Sequence, residues 1–346
     1  MSYNTPAFLL FLAVCLLVYY ALPGRLRNPF LLLASSVYYL IAAPQYFLLV
    51  AATAGVVYVA ARGVASAKNP KRRRALFLTG LLFPLAALFF FKYFNFFTES
   101  LAALAGLFGV RWAPVSLGLA LPLGISFYTF QSIGYLIDVR GGAVEPERNF
   151  WIFALFVSFF PQILAGPIGR AKEMLPQYRA PRDFSYDGFA AGAQRFLTGA
   201  FKKIVIADGF GVFVGEVYAS LPQREGFTVL LAVLFYALQL YFDFAGYTDM
   251  ALGVAKLFGL TLRENFTAPY FATNFSGFWK RWHMSLTSWF TDYLFTPLVW
   301  SRWANKLFFG KKWDEHKPHF ALNLILVFLV SDLCHRFQKP EKLVAK

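Results

Sequence analysis

The chain has 346 residues, 58% hydrophobic, 20% aromatic and only 15% charged, with a formal net charge of +15. A soluble globular domain carries about a quarter charged residues, so a chain this long and this apolar has too little polar surface to disperse in water; its expected solvent is a bilayer. The basic residues punctuate the apolar runs and form no separate basic domain, which excludes nucleic acid as an expected partner and points to membrane lipids.

Apolar runs that reach or approach the roughly 20 residues of a membrane span predict helices near 7–22, 30–43, 45–61, 75–94, 114–137, 150–166, 193–218, 227–258, 285–300 and 319–335. The first has no basic residue before it and no small-residue cleavage pattern after it, and reads as a retained span. The loops "GRLRN", "KNPKRRR" and "VRGGAVEPER" are basic and "AAPQ" is not; this alternation places the N-terminus outside. The basic stretch "GRAKEMLPQYRAPRDF" breaks the alternation, and a re-entrant hairpin near "FFPQILAGPIGR" restores it. Such backbone is tolerated at membrane depth where protein or a wet cavity surrounds it. Cys15 and Cys334 lie far apart, in or beside apolar runs, and imply no disulfide framework. The expected fold class is all-α: one polytopic integral membrane domain over 1–346, a helical bundle with re-entrant and interfacial helices.

Polar residues inside these runs mark candidate sites. The fifth run carries Ser126, Tyr128, Thr129, Gln131, Ser132 and Asp138, a stripe that lines a tunnel or glues helices together. "PQILAGPIGR" sets helix breakers beside Arg170, suited either to an anionic group such as phosphate or to an interfacial helix end. The run at 227–258 holds Gln239, Asp243, Asp249 and Lys256. Carboxylates in hydrocarbon are costly and face a bundle interior or water, so internal ion pairing and direct chemistry both stay open.

The stretch "NFSGFWKRWHMSLTSWF", 274–290, begins at Asn274. On a wheel of about 100° per residue, Trp279, Trp282, Leu286, Trp289 and Phe290 share one side. Lys280, Arg281, Met284, Ser285 and Ser288 share the other, and His283 sits at the edge of the aromatic face. Ser276 is the expected N-cap. An interfacial amphipathic helix and a helix lining a cavity both fit. Further on, His335 follows Cys334, but successive helical residues point about 100° apart, so the two make no dyad. "DEHKPH" reads as a polar loop, because Pro318 spoils a helical ligand pair of His316 and His319; no metal is expected. Nucleotide, zinc and serine-elbow motifs are missing from the sequence.

Taken together, "PLGISFYTFQSIGYLIDV", "FVSFFPQILAGPIGR", "YFDFAGYTDMALGVAKLFGL", "ENFTAPYFATNFSGFWKRWHMSLTSWFTDYLFTPL" and a histidine on a later span resemble the membrane-bound O-acyltransferase family, in particular its bacterial alginate O-acetyltransferase type. The resemblance implies a helix bundle around a tunnel with a histidine near its middle, in the bacterial inner membrane. It implies transfer of an acyl group, in this branch acetyl, from a cytoplasmic thioester to a hydroxyl on the other side. The implied donor is acetyl-CoA or an acyl-carrier protein, with no bound cofactor. The implied acceptor is an exopolysaccharide or cell-wall glycan, reached through a periplasmic partner acyltransferase.

By the same resemblance His335 is the catalytic base and His283 positions or assists. Arg170, Lys280 and Arg281 are candidates for the donor's phosphates or an acidic carrier surface, with Trp279, Trp282, Asn274, Asp243 and Asp249 added as substrate-binding candidates. The family pattern around the second histidine, Ser-Gly-Leu-Trp-His-Gly, is Ser331-Asp332-Leu333-Cys334-His335-Arg336 here. A chain truncated or altered after about residue 331, of uncertain activity by itself, is therefore an expectation. A transporter or flippase of an anionic or lipid-linked solute is the alternative, because intramembrane Asp and Gln with broken helices are also its signs. A non-catalytic membrane scaffold is a third.

Overall fold

The computed structural model describes residues 2–110, 112–163, 166–301 and 320–336, with side chains described for 324–332 in the last stretch. The described secondary structure is helical, without a strand among the described residues. In chain order the helices are α1 Pro6–Ala21, α2 Gly24–Ala42, α3 Phe47–Ser66, α4 Pro70–Leu88, α5 Phe94–Leu107, α6 Ile125–Gly141, α7 Phe150–Ser158 and α8 Phe160–Ile163. They continue with α9 Ala171–Arg179, α10 Tyr186–Phe201, α11 Asp208–Ala219, α12 Gly226–Leu257, α13 Phe275–Trp279, α14 Met284–Phe290 and α15 Thr296–Val299. A last described helix runs Phe320–Arg336.

Three stretches among the described residues are long and apolar enough to cross a membrane: Pro44–Ser66, Pro70–Leu107 and Gly226–Leu257. Pro6–Ala21 and Phe150–Ile163 are apolar but shorter. Leucines and valines stay exposed on these helices, for example Leu10, Leu17, Leu48, Leu82, Leu230 and Leu234, as a surface solvated by acyl chains requires. Helix occurs in each of the ten expected regions, but the fifth begins late. Residues 114–121 are non-helical, and α6 starts at Ile125, after Gly124 in the left-handed region (φ 68). Pro114, Gly118 and Pro122 deny that segment a helix. Side chains of α5 satisfy its backbone instead: Asn95 Nδ2 donates to Leu117 O at 3.0 Å, Leu117 N donates back to Asn95 Oδ1 at 2.8 Å, and Thr98 Oγ1 donates to Val115 O at 2.8 Å.

The chain divides into two compact units, Met1–Ala54 with Glu147–Ser285, and Gly55–Pro146 with Leu286–Lys346. In the first, an aromatic core gathers around Phe160, just past the α7–α8 break. Its ring lies 5.5 Å from Phe11, 5.6 Å from Tyr38 and 5.9 Å from Phe258. Tyr3 donates to Pro161 O at 2.7 Å across this core. Burial pushes the Tyr3 phenol well above its ordinary range, so it stays a donor.

Helices α10 and α12 cross so closely that only glycine fits. Gly192 and Gly199 on α10 meet Gly253 and Gly246 on α12. A Cβ on Gly199 would lie 2.6 Å from Gly246 O and from Met250 N, and one on Gly253 would lie 2.6 Å from Phe196 N. Without water to squeeze out, membrane helices gain their contact from such backbone approach.

The second unit packs α4 against α6, with the Arg140 guanidinium 4.0 Å from the Phe77 ring centroid. Trp289 Nε1 donates to Phe130 O at 2.8 Å, and Tyr293 OH reaches both carboxylate oxygens of Asp138 at 2.9 Å. The stripe on α6 is buried: Thr129 and Ser132 are fully covered, Gln131 nearly so.

Candidate active site

The aromatic stretch is not one helix. α13 ends at Trp279, residues 280–283 form a turn, and α14 begins at Met284. His283 itself occupies the left-handed region, at φ 45. A residue with a Cβ pays about 1–2 kcal/mol there, and such outliers persist only where the surroundings over-determine them. The wheel that put His283 at the edge of the aromatic face therefore fails, because the helical phase is lost between Trp279 and Met284. The N-cap also differs from expectation: Asn274, not Ser276, caps α13, its Oδ1 accepting from Gly277 N at 2.7 Å. Asn274 is capped against its own helix and exposed.

One residue that sequence reasoning passed over holds the turn. Asn265 is fully buried and lies in the loop after α12. Its backbone carbonyl accepts from Met284 N at 2.9 Å. Its side-chain Oδ1 accepts from Ser285 N at 3.1 Å and from Ser285 Oγ at 2.9 Å, and lies 3.2 Å from His283 Nδ1. Two residues further along, Thr267 N donates to Arg281 O at 3.0 Å. The loop thus clasps the turn on both sides of His283.

The imidazole is buried, at 7% exposure, between two phenyl rings. Phe244 of α12 meets it edge-on with centroids 4.8 Å apart, and Phe266 lies at 6.3 Å. Ser285 Oγ in turn accepts from Ile168 N at 3.1 Å. That bond ties the histidine turn to the broken segment after α8, where Gln162 Nε2 donates to Pro167 O at 3.2 Å. Arg170 closes that segment, buried to 8% exposure at the start of α9. The structure therefore joins the His283 turn to the "PQILAGPIGR" stretch through the Ile168 N to Ser285 Oγ hydrogen bond, which neither sequence stretch announced.

The other candidates are placed differently. Trp282 stacks on Phe278 at 5.6 Å and meets Phe266 at 5.2 Å, so it packs into an aromatic cluster with Tyr241 and Tyr270. Trp279 and Arg281 are half-buried and Lys280 is exposed. Asp243 pairs with Lys203 at 2.5 Å, and Lys203 also pairs with Asp208 at 2.7 Å. Asp249 lies 2.6 Å from both Arg195 and Lys202 of the α10 region. Both carboxylates have cations from the neighbouring helix, the ion-pair arrangement that hydrocarbon favours. His335 lies on the backbone of the helix Phe320–Arg336; its side chain, that of Cys334, and the loop with His316 and His319 lie outside the described residues.

The Asp249 carboxylate is 7% exposed while its partners are 37% and 27% exposed. Asp249→Asn is therefore expected to lower stability by about 1.5–3 kcal/mol, the range for a hydrogen bond to a charged group, with the two cations turning to water. Thermal unfolding in detergent, read by tryptophan fluorescence, checks this; an unchanged midpoint would contradict it.

Residues 145–335 match the family model described as MBOAT, membrane-bound O-acyltransferase family. The chain belongs to the membrane-bound O-acyltransferase family. The matched region takes in Gln162, Ile168, Arg170, Asn265, His283 and Ser285, the whole network just described. Among similar proteins is the probable alginate O-acetylase of Azotobacter vinelandii, 38% identical over 338 residues, covering 97% of this chain and 64% of that protein. The peptidoglycan O-acetyltransferase of Helicobacter pylori is 33% identical, over 96% of this chain and 66% of that protein. The teichoic acid D-alanyltransferase of Bacillus subtilis is 30% identical over 62% of this chain and 53% of its own length. The chain thus spans a little under two thirds of the length of the alginate-type membrane-bound O-acyltransferases it matches.

Proposed function

We propose that the chain catalyses acyl transfer in the bacterial inner membrane, as one multi-pass domain with its N-terminus outside. It takes an acyl group, acetyl in the first instance, from a cytoplasmic thioester, acetyl-CoA or an acyl-carrier protein. It delivers that group to a hydroxyl of an extracytoplasmic polysaccharide or cell-wall glycan, through a periplasmic partner acyltransferase. In this reading the broken segment around 159–170 is re-entrant and borders a tunnel. The relatives' names support the acceptor class, since alginate, peptidoglycan and teichoic acid are all named as their substrates.

One observation carries the chemistry: a buried imidazole, held in a strained turn by Asn265. An alcohol is a poor nucleophile at neutral pH and needs a base within hydrogen-bond reach. Imidazole is the side chain suited to that task. As it takes the hydroxyl proton, the oxygen attacks the thioester carbonyl carbon. The tetrahedral intermediate then collapses, the carbon–sulfur bond breaks, and the thiolate leaves with the proton. The products are an ester and a free thiol. By the family resemblance His335 is also a candidate for the base, with His283 then positioning or assisting; Arg170, buried at the broken segment, is assigned to the donor's anionic groups, and Lys280, Arg281, Trp279, Trp282 and Asn274 remain substrate-binding candidates.

The test is thiol release from radiolabelled acetyl-CoA by purified protein with glycan and partner extract. Release coupled to labelled glycan, and lost in both His283→Ala and His335→Ala, supports the reading. Full release by both variants, or accumulation of label in vesicles without thiol release, overturns it.

A further inference from the structure

Asn265 makes more contacts with the histidine turn than a loop residue needs for packing, and their polarity has a consequence. An asparagine side chain ends in one acceptor oxygen and one donor nitrogen of nearly the same shape, told apart by the partners they meet. Here chemistry distinguishes them. The backbone N–H of Ser285 can only donate, and it points at the Asn265 side-chain atom 3.1 Å away. That atom must be the carbonyl oxygen. The same oxygen lies 3.2 Å from His283 Nδ1. A carbonyl oxygen only accepts, so Nδ1 must carry a hydrogen. In the neutral ring the lone pair then belongs to Nε2.

We infer that Asn265 is a positioning residue that holds His283 in the Nδ1–H tautomer, with Nε2 as the basic nitrogen. This rests on the proposal that His283 takes part in acyl transfer, and adds which atom does so and what keeps it there. Three further features agree. The Asn265 backbone carbonyl bonds Met284 N, so one residue fixes both the left-handed backbone and the ring. Ser285 Oγ donates to the same oxygen and accepts from Ile168 N, which sets the amide plane against the broken segment. The Asn265 Nδ2 amide, buried, has no hydrogen-bond partner among the described residues; it is a donor available to an oxyanion or a substrate carbonyl. An outer partner that fixes tautomer and ring direction is how histidines are prepared for acceptor roles in metal and catalytic sites.

The experiment uses the full chain in detergent or bilayers with 15N-labelled histidine. A difference spectrum against His283→Gln assigns the His283 ring nitrogens. The expected result is protonated Nδ1 and unprotonated Nε2 in the wild type at a pH where the ring is neutral. Asn265→Asp, which keeps the accepting oxygen, should keep Nδ1 protonated and retain part of the activity. Asn265→Ala should lower the share of the Nδ1–H tautomer relative to wild type, and lower kcat more than KM changes. Should Asn265→Ala fail to fold, the wild-type spectrum still decides. A wild-type ring with Nε2 protonated and Nδ1 bare overturns the inference, whatever the activity. A wild-type ring with Nδ1 protonated, together with a fully active His283→Ala, keeps the inference and removes the catalytic reading instead. An Asn265→Ala spectrum identical to wild type also overturns it, since the tautomer would then be set by something else.

Discussion

His283→Ala is expected to lower acyl transfer by about 10²- to 10⁴-fold, the contribution of a positioned general base, while the protein remains folded. The ring is buried between Phe244 and Phe266, so its removal leaves a small void that costs little beside the lost base. The backbone strain at φ 45 is unchanged, because alanine keeps the Cβ that causes it. The loss should fall on kcat, since a base acts in the transition state and not in holding the thioester. A kcat within tenfold of wild type, measured by thiol release on protein with an unchanged unfolding midpoint, would remove His283 from the chemistry.

The second large effect is structural. Gly199→Leu is expected to prevent the α10–α12 crossing from forming. Even a single Cβ there would stand 2.6 Å from backbone atoms of the facing helix, and backbone cannot move aside as a flexible side chain can. Overpacking a well-packed contact by a few atoms costs about 1–3 kcal/mol, and a leucine adds more than that. The crossing also sets Arg195 and Lys202 against Asp249, and Lys203 against Asp243. Forcing the helices apart therefore leaves buried charges without partners, which is costly in its own right. The expected readout is loss of monodisperse protein after detergent extraction, with Gly215→Leu as control, because a Cβ at Gly215 meets nothing within 4 Å. Equal yield and midpoint for Gly199→Leu and wild type would contradict the account of the crossing.

What the sequence made legible follows the strength of each physical signal. Long apolar runs locate helices well, because lipid leaves the backbone few alternatives. Helix breakers were legible at one place: the kink after α7 falls at "FFPQ", in the stretch whose prolines and glycines break the helix; Gly124, inside the helix expected over 114–137, stands in a left-handed turn before α6. The late start of α6 was less so, since its preceding segment is apolar and its backbone is satisfied by Asn95 and Thr98 from a distant part of the chain. The break at 280–283 carried no signal at all. Neither glycine nor proline stands between Trp279 and Met284, and the left-handed residue is a histidine held there by tertiary bonds. For the same reason the helical wheel misplaced His283.

Asn265 was missed because "ENFT" looks like any polar loop; its role exists only once the chain folds it under the turn. The carboxylates of α12 were visible as unusual residues, but their partners on α10 were not, since no local pattern links residue 249 to residues 195 and 202. Sequence likeness supplied what neither periodicity nor geometry gives, the class of reaction.

The most direct measurement is the fate of the acyl carbon. Membranes holding this chain and the proposed periplasmic acyltransferase are given acetyl-CoA labelled in the acetyl group, and the glycan fraction is then treated with hydroxylamine. The account predicts label bound to the glycan as hydroxylamine-labile ester, in amounts matching the thiol released, and absent when His283 is alanine. Glycan free of labile label, despite a folded protein and an intact donor, would contradict it.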